Sequence, residues 1–175
     1  MDYLTEKQVK ELMKACKADR HSYRNATAIL IAFRHGLRNS ELCNLTWDNV
    51  NLDEGILEII RRKNSRSGFH PMRGDEIRRL RKLKRTNNQS VYVFSNQNRN
   101  QLSTRSFTYI VQNAGKKIGL TLSPHILRHS CGFHLAAQGL DTRLIQDYLG
   151  HKKIENTVIY TKISPDRFKE IKWDN

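Results

Sequence analysis

Apolar residues recur near the amino terminus with helical spacing. Val9, Leu12, Met13 and Cys16 fall on one helix face, and Thr5 with Gln8 three residues on forms the reciprocal cap that opens it. Residues 26–34 are apolar almost throughout and predict a buried helix stopped by Gly36. Asn39 or Ser40 can cap a short helix through Leu45, with Arg38 in the joint. The pattern then becomes that of strands. Residues 56–60 read as one strand, 64–68 as a turn and 69–72 as a returning strand whose Pro71 favours a sheet edge. Lys63 falls at the start of that turn.

Helical spacing dominates the remainder. A basic helix is expected over 75–85, a short extended piece over 91–94, and a helix from Ser103 or Thr104 to about residue 118, where Gly119 ends it. Ser123-Pro124 is a cap followed by a first-turn proline, and Leu127, Cys131 and Leu135 give that helix its core face up to Gly139. Asp141 caps the next, in which Leu144, Ile145, Tyr148 and Leu149 form the buried stripe until Gly150. Ile154, Val158 and Ile159 predict a further helix reaching Tyr160, and Ser164-Pro165-Asp166 opens a final one. The plan is α+β, mainly α, with one small antiparallel sheet. Without repeats or a Gly/Ser- or Pro-rich linker, residues 1–175 are expected to form a single domain.

Charge narrows the partners. The chain carries 31 Lys plus Arg against 17 Asp plus Glu, a net charge of +14. Eleven of those cations, at 61, 62, 63, 66, 73, 78, 79, 81, 82, 84 and 85, lie in one short stretch with only Asp75 and Glu76 against them. Such a run can be a solvated helix face, but its interruption by Gly68, Phe69, Pro71 and Met72 assigns it to structured elements. A polyanion suits it, since each neutralised phosphate releases condensed counterions. Arg61, Arg62, Arg66, Arg78, Arg81 and Arg105 are the expected phosphate contacts, and His70 is either another or a plain hairpin residue. No window approaches the roughly 18 uninterrupted apolar residues of a membrane span, and the first ten residues have no secretory character. A cytoplasmic, nucleoid-associated protein with no membrane partner is expected. Cys16, Cys43 and Cys131, odd in number and widely spaced, read as reduced thiols.

Single polar residues leave the chemistry open. Tyr160 beside Val158 and Ile159 can be an aromatic that packs its ring. Arg38 can cap carbonyls at a helix end. His125 and His129, four apart with His134 nearby, can share a metal, although no Glu follows the first as in H-E-x-x-H. His21 and His35 read as surface or helix-end histidines.

Their order is more specific. Arg38, Lys63, His125-x-x-Arg128, Gly150-His151 and Tyr160 occur in the sequence of the tyrosine recombinase, or phage-type integrase, signature, and the chain resembles that family over nearly its whole length. Residues 124–129 (PHILRH), 144–151 (LIQDYLGH) and 157–161 (TVIYT) carry the likeness most sharply. Residues 34–38 and 141–151 look most like the short fimbrial phase-variation DNA invertases. The resemblance implies the family's catalytic-domain fold, without the amino-terminal core-binding domain of larger members. It also implies cleavage and rejoining of double-stranded DNA at specific sites through a 3′-phosphotyrosine, for inversion or integration, in a homotetramer on paired sites.

By the same resemblance each residue takes a role. Tyr160 attacks the phosphorus and Arg38 and Arg128 clamp the non-bridging oxygens, for which the planar arginine fork is suited. Lys63 is the general acid for the leaving oxygen, with an unperturbed pKa of about 10.4 lowered by neighbouring guanidiniums. His125 handles the tyrosine proton and His151 hydrogen-bonds the phosphate. Neither a metal nor an organic cofactor is expected, because fixed cations replace the Lewis acid. A type IB topoisomerase-like enzyme and a non-catalytic DNA-binding regulator are the alternatives.

Overall fold

The computed structural model describes residues 3–61, 67–86 and 89–161. Lys63, Arg62, Arg66 and the helix expected from Ser164 lie outside the described residues. Helix α1, Glu6–Ala15, opens on the expected reciprocal cap, with Gln8 N–H donating to Thr5 Oγ1 and Thr5 N–H to Gln8 Oε1. Helix α2, Ser22–Arg34, is the centre of the molecule. Its residues from Asn25 to Phe33 are all buried, and α1 packs along it. Leu4 N–H donates to Ser130 Oγ at 2.7 Å, which ties the start of the chain to the last third.

Gly36 (φ +58°) turns the chain after α2 into α3, Asn39–Cys43. The cap of α3 is Arg38, not Asn39 or Ser40. Glu41, three residues on, accepts the Arg38 N–H at 2.8 Å and so does the work of a capping carboxylate. Strands β1 (Val50–Asn51), β2 (Ile56–Ile59) and β3 (Gly68–Pro71) form an antiparallel sheet in that order. The register pairs Leu57 with His70 and Ile56 with Pro71, and Pro71 lies on an edge strand as its missing N–H requires. Two-residue β1 is too short to leave an alternating pattern, so the sequence does not announce it.

Helix α4, Gly74–Thr86, lies against α2. It starts with Asp75 and Glu76 beside Arg34 and ends with Lys82 and Arg79 over the ring of Tyr23, near the opposite end of α2. Helix α5, Thr104–Lys117, is capped by Ser103, whose Oγ accepts the Ser106 N–H. Helices α6 (Pro124–Ala137), α7 (Thr142–Leu149) and α8 (Glu155–Val158) follow. Pro124 sits in the first turn of α6, and Asp141 caps α7 by accepting two backbone N–H groups. No helix of the described residues is long and apolar enough to cross a membrane.

Most of the apolar side chains form one core, with Leu12, Ile29, Leu42, Leu57, Phe94, Val111 and Leu127 among its fully buried members. A smaller cluster of Cys131, Ile145, Leu149 and Tyr160 sits apart from it. Here the expected stripes shift. Leu144 of α7 is half exposed, and the buried residues are Ile145, Gln146 and Leu149. Val158 and Ile159 also face outward, because α8 turns Thr157 and Tyr160 inward instead. His35, read as a surface or helix-end histidine, does end α2 but is 1% exposed and paired.

Gly36 is where α2, α6 and α7 meet. A Cβ there would overlap Leu149 Cδ2 and stand 3.3 Å from Cys131 Sγ, on a backbone that L residues rarely adopt. Gly36→Ala is therefore expected to destabilise the fold by about 1–3 kcal/mol or more, from φ strain and overpacking together. Urea unfolding measures this, and an unchanged midpoint would contradict the close packing of Leu149 on residue 36.

Candidate active site

The joint between α2 and α3 gathers charge. Glu41, 8% exposed, is a hub for three guanidiniums: its Oε1 lies 2.7 Å from Arg38 Nη1, and its Oε2 lies 3.4 Å from Arg61 Nη1 and 3.9 Å from Arg128 Nη1. Arg38 forms the accessible rim of this group, with its side chain 38% exposed. Arg61 and Arg128 lie at its floor. Arg128, from the first turns of α6, donates to Gly36 O at 2.6 Å and to Leu149 O at 2.8 Å. Arg61, directly after β2, donates to Tyr148 O at 3.0 Å and also to Leu149 O. Helix α7 thus contributes its last two carbonyls to holding both buried arginines.

Three positive charges on one carboxylate leave an excess. Burial first, then the charges of Arg38 and Arg61, push the Arg128 pKa down to about 10. Burial likewise lowers that of Arg61, against the pull of Glu41. Both stay charged at neutral pH, so the pocket is a desolvated, fixed, positive site. An anion with several acceptor oxygens fits it.

Next to the arginines stands Tyr160, buried at 7% exposure. Its phenol is 2.9 Å from His129 Nδ1, and its ring packs edge-on against Phe133 with centroids 5.1 Å apart. It lies flat enough on α6 that a Cβ on Gly132 would come within 2.7 Å of the ring, so only glycine admits it there. Burial raises the phenol pKa while Arg128 draws it down. His151 stacks near the same ring, centroids 6.3 Å apart, and its Nδ1 is 2.8 Å from Thr157 Oγ1. Burial, followed by Arg128 and Arg38, lowers its pKa to about 4. The ring is therefore neutral near pH 7, with its Nδ1 held on the Thr157 hydroxyl. Gln146 fixes the segment by donating to His151 O at 3.0 Å.

The structure therefore brings Arg38, Arg128, His151 and Tyr160 together. His125 is exposed at the start of α6, its ring edge-on to His129 with centroids 4.3 Å apart. Burial, then His129 and Arg128, lower its pKa. The phenol's partner is His129, a residue the sequence singled out only as half of a metal pair.

Two expected DNA contacts are corrected. Arg61 is 6% exposed and spends its donors on Glu41 and α7, because it emerges from β2 into the protein. His70 is 4% exposed, since its place opposite Leu57 turns it inward, where burial, His35 and Arg61 push its pKa down to about 3. Arg78, Arg81 and Arg105 are exposed as expected, with Arg81 also donating to Leu52 O at 3.2 Å. Besides His129, sequence reasoning missed Glu41, Thr157, Gln146 and Gly132. Only Glu41 left a signal, the capping-box spacing after Arg38.

Comparison with known proteins agrees with this arrangement. Residues 2–167 match the model of the phage integrase family. The chain is 39% identical to the type 1 fimbriae regulatory protein FimB of Escherichia coli K12, over 99% of this chain and 90% of that protein. The crystal structure of XerA recombinase superposes with a TM-score of 0.81 at 28% identity, covering 96% of this chain and 62% of that one. XerH bound to its difH substrate, before cleavage, superposes at 0.82 and 22% identity, covering 97% and 53%. The chain thus spans most of FimB but under two thirds of either crystallised recombinase. With the pocket, the matching family and these relatives in agreement, the chain belongs to the phage integrase family, the tyrosine recombinases, and is a site-specific DNA recombinase.

Proposed function

We propose that Tyr160 is the nucleophile and that the arginine cluster on Glu41 is the seat of the scissile phosphate. The observation carrying this reading is the excess of buried guanidinium charge beside a buried phenol. In the forward step Tyr160 Oη bonds to phosphorus as the bond to the 5′ oxygen breaks. The phenol proton passes to a histidine, and a proton reaches the leaving alkoxide from Lys63. The new phosphotyrosyl ester keeps the energy of the broken bond, so reversal rejoins the strand.

Arg38 approaches the phosphate from the rim and Arg128 from the floor. Arg128 is already desolvated and held in place by the Gly36 and Leu149 carbonyls, and a preorganised cation is what stabilises a five-coordinate phosphorus best. Neutral His151 presents its Nε2 proton to a non-bridging oxygen. His129 accepts the phenol proton in the arrangement seen, and His125 stands beside it as the group through which the proton reaches solvent. To engage DNA the phenol must leave His129, and short α8 is the element that moves with it.

Arg78 and Arg81 on α4 and Arg105 at the start of α5 supply phosphate contacts away from the cleaved bond, with Arg62 and Arg66 alongside. The partner is duplex DNA, as in the difH complex of XerH. Two sites paired in a homotetramer, with inversion or integration as the outcome, complete the reading, and place the protein with the nucleoid.

A nicked suicide duplex tests the chemistry. Wild type should leave a covalent protein-DNA adduct, whereas Tyr160→Phe should bind and leave none; an adduct with the Phe variant would sink the assignment. Arg38→Ala or Arg128→Ala should slow cleavage about a hundredfold or more with little change in affinity. Arg78→Ala and Arg81→Ala should instead make the salt dependence of binding shallower, by about 0.9 in slope for each phosphate that is no longer neutralised. Equal effects from the two sets would contradict the division between clamp and tether.

His151 also makes a pH prediction. Its folded pKa of about 4 lies below the ordinary value of about 6.5, so the unfolded chain binds a proton that the folded one refuses. Stability present above pH 6.5 is lost as pH falls toward 4. Melting curves of His151→Gln should show a shallower acid limb than wild type, and parallel limbs would show that the ring titrates normally.

A further inference from the structure

A line of buried polar groups joins α2, β3, α4 and α7. His70 of β3 hydrogen-bonds the Tyr148 backbone, and its ring lies over that of Tyr148 with centroids 4.0 Å apart. His70 Nδ1 faces His35 Nδ1 at 3.3 Å. On the far side of the His35 ring, Nε2 meets Glu76 Oε1 at 2.9 Å. Glu76 Oε2 accepts the Arg73 N–H at 2.7 Å and lies 3.3 Å from Arg34 Nη1. His35, His70 and Glu76 are each under 5% exposed, so water does not complete the set.

Counting protons decides the state of this line. Since Nδ1 of His70 faces His35, its Nε2 is left for the Tyr148 carbonyl, which only accepts. At the other end an ionised carboxylate also only accepts. Three gaps need three protons, and two neutral imidazoles bring two. The line therefore carries one proton more than neutral rings supply. Burial first, then the charges of His35 and Arg61, keep His70 neutral. Burial alone would raise the Glu76 pKa, but the His35 bond, with Arg73 and Arg34, brings it below the ordinary range. The additional proton therefore lies in the gap between His35 Nε2 and the Glu76 carboxylate. The other charged or titratable groups around the line are Arg34, Arg61, Arg73, Asp75 and Tyr148.

One end of the line touches, and its His35 adjoins in the chain, the peptide groups that hold the buried arginines. Tyr148 O receives Arg61 as well as His70, and Leu149 O, next along the chain, receives Arg61 and Arg128. Gly36, immediately after His35, gives its carbonyl to Arg128 Nη1. Tyr148 also donates its phenol to Arg34 O at 2.9 Å, which fastens α7 to the end of α2. We propose that His35 and His70, sharing one proton beyond two neutral rings and anchored by Glu76, are positioning residues that set the carbonyls of Gly36, Tyr148 and Leu149 and hence the orientation of Arg61 and Arg128. This rests on the role given above to Arg128. Loss of the additional proton empties one gap, so cleavage falls as pH rises for this reason in addition to any from the acid.

Glu76→Gln separates proton from geometry. The carboxamide oxygen can accept from Arg73 while its NH2 donates to His35, so all three gaps close with both rings neutral. Long-range proton-nitrogen NMR of the free protein at neutral pH should show one ring protonated on both nitrogens and His70 protonated on Nε2 alone. Glu76→Gln should convert the first to a neutral ring, keep cleavage near the wild-type rate and flatten the alkaline limb. His70→Phe keeps the stacking but loses the donor, and should slow single-turnover cleavage about tenfold or more at unchanged DNA affinity. His70→Gln, with an amide nitrogen near the position of Nε2, should restore most of that rate.

The effect of His70→Phe should also vanish in an Arg128→Ala background, because the two act through one group. Two neutral rings in wild type, a doubly protonated ring surviving in Glu76→Gln, or a His70→Phe loss that adds fully to Arg128→Ala would each overturn the proposal. If His70→Phe does not fold, the NMR and Glu76→Gln comparison decides alone. Absence of any wild-type adduct, with the ring protonation as expected, would instead overturn the clamp assigned to Arg128 and leave the proton line standing.

Discussion

One carboxylate governs the pocket. Glu41 is mostly buried, caps the helix that begins with Arg38, and faces the guanidiniums of Arg38, Arg61 and Arg128. A lone buried charge costs several kcal/mol, and three like charges without it would not stay together. With it they remain, but the balance is positive, and burial, followed by the charges of Arg38 and Arg61, lowers the Arg128 pKa to about 10. Under the proposed reading, the phosphate supplies the anion that this excess of charge lacks.

The proposed nucleophile is held by different means. Tyr160 lies in the small cluster with Cys131, Ile145 and Leu149, outside the main core, and its place depends on a glycine, one phenylalanine edge and one hydrogen bond to His129. It follows α8, which is only four residues long, and Val158 and Ile159 just before it are exposed. Short elements with few buried apolar contacts open at low free energy. The clamp is thus built into the packing of α2, α6 and α7, while the attacking group is attached by contacts that can be exchanged. Such a division suits a reaction in which the tyrosine must travel to phosphorus and back while the arginines hold still.

Much of this was legible in the sequence, and the rest was hidden for identifiable reasons. Caps and glycines announced α1, α5, α6 and α7 because capping is local chemistry written within four residues. The sheet edge at Pro71 was legible for the same reason. Arg38, Arg128, His151 and Tyr160, which the structure brings together, were singled out through their order, which survives when their mutual distances are unknown. Arg61 was misread as a phosphate contact, since a basic run looks alike whether a member points outward or inward, and His70, open between hairpin residue and phosphate contact, is a hairpin residue that strand register turns inward. The His35 to Glu76 contact spans 41 residues and leaves no periodic trace. Glu41 could have been noticed, for its spacing after Arg38 is that of a capping box, but nothing local says that the same carboxylate also gathers two distant arginines.

The identity of the cations follows from the field they share. Burial and neighbouring charge take Arg128 from an ordinary value near 12.5 down to about 10, and it still holds its proton at neutral pH. A lysine starts from about 10.4, so the same environment would bring it toward neutrality, where it gives up its proton. Arginine is therefore the residue for the pocket floor, where charge must persist through the whole reaction and the planar fork must stay aimed at oxygen. Lysine is the residue for a position that must lose a proton to the departing strand and recover it on rejoining. Lys63, two residues beyond Arg61 in the chain, is the lysine proposed for that role.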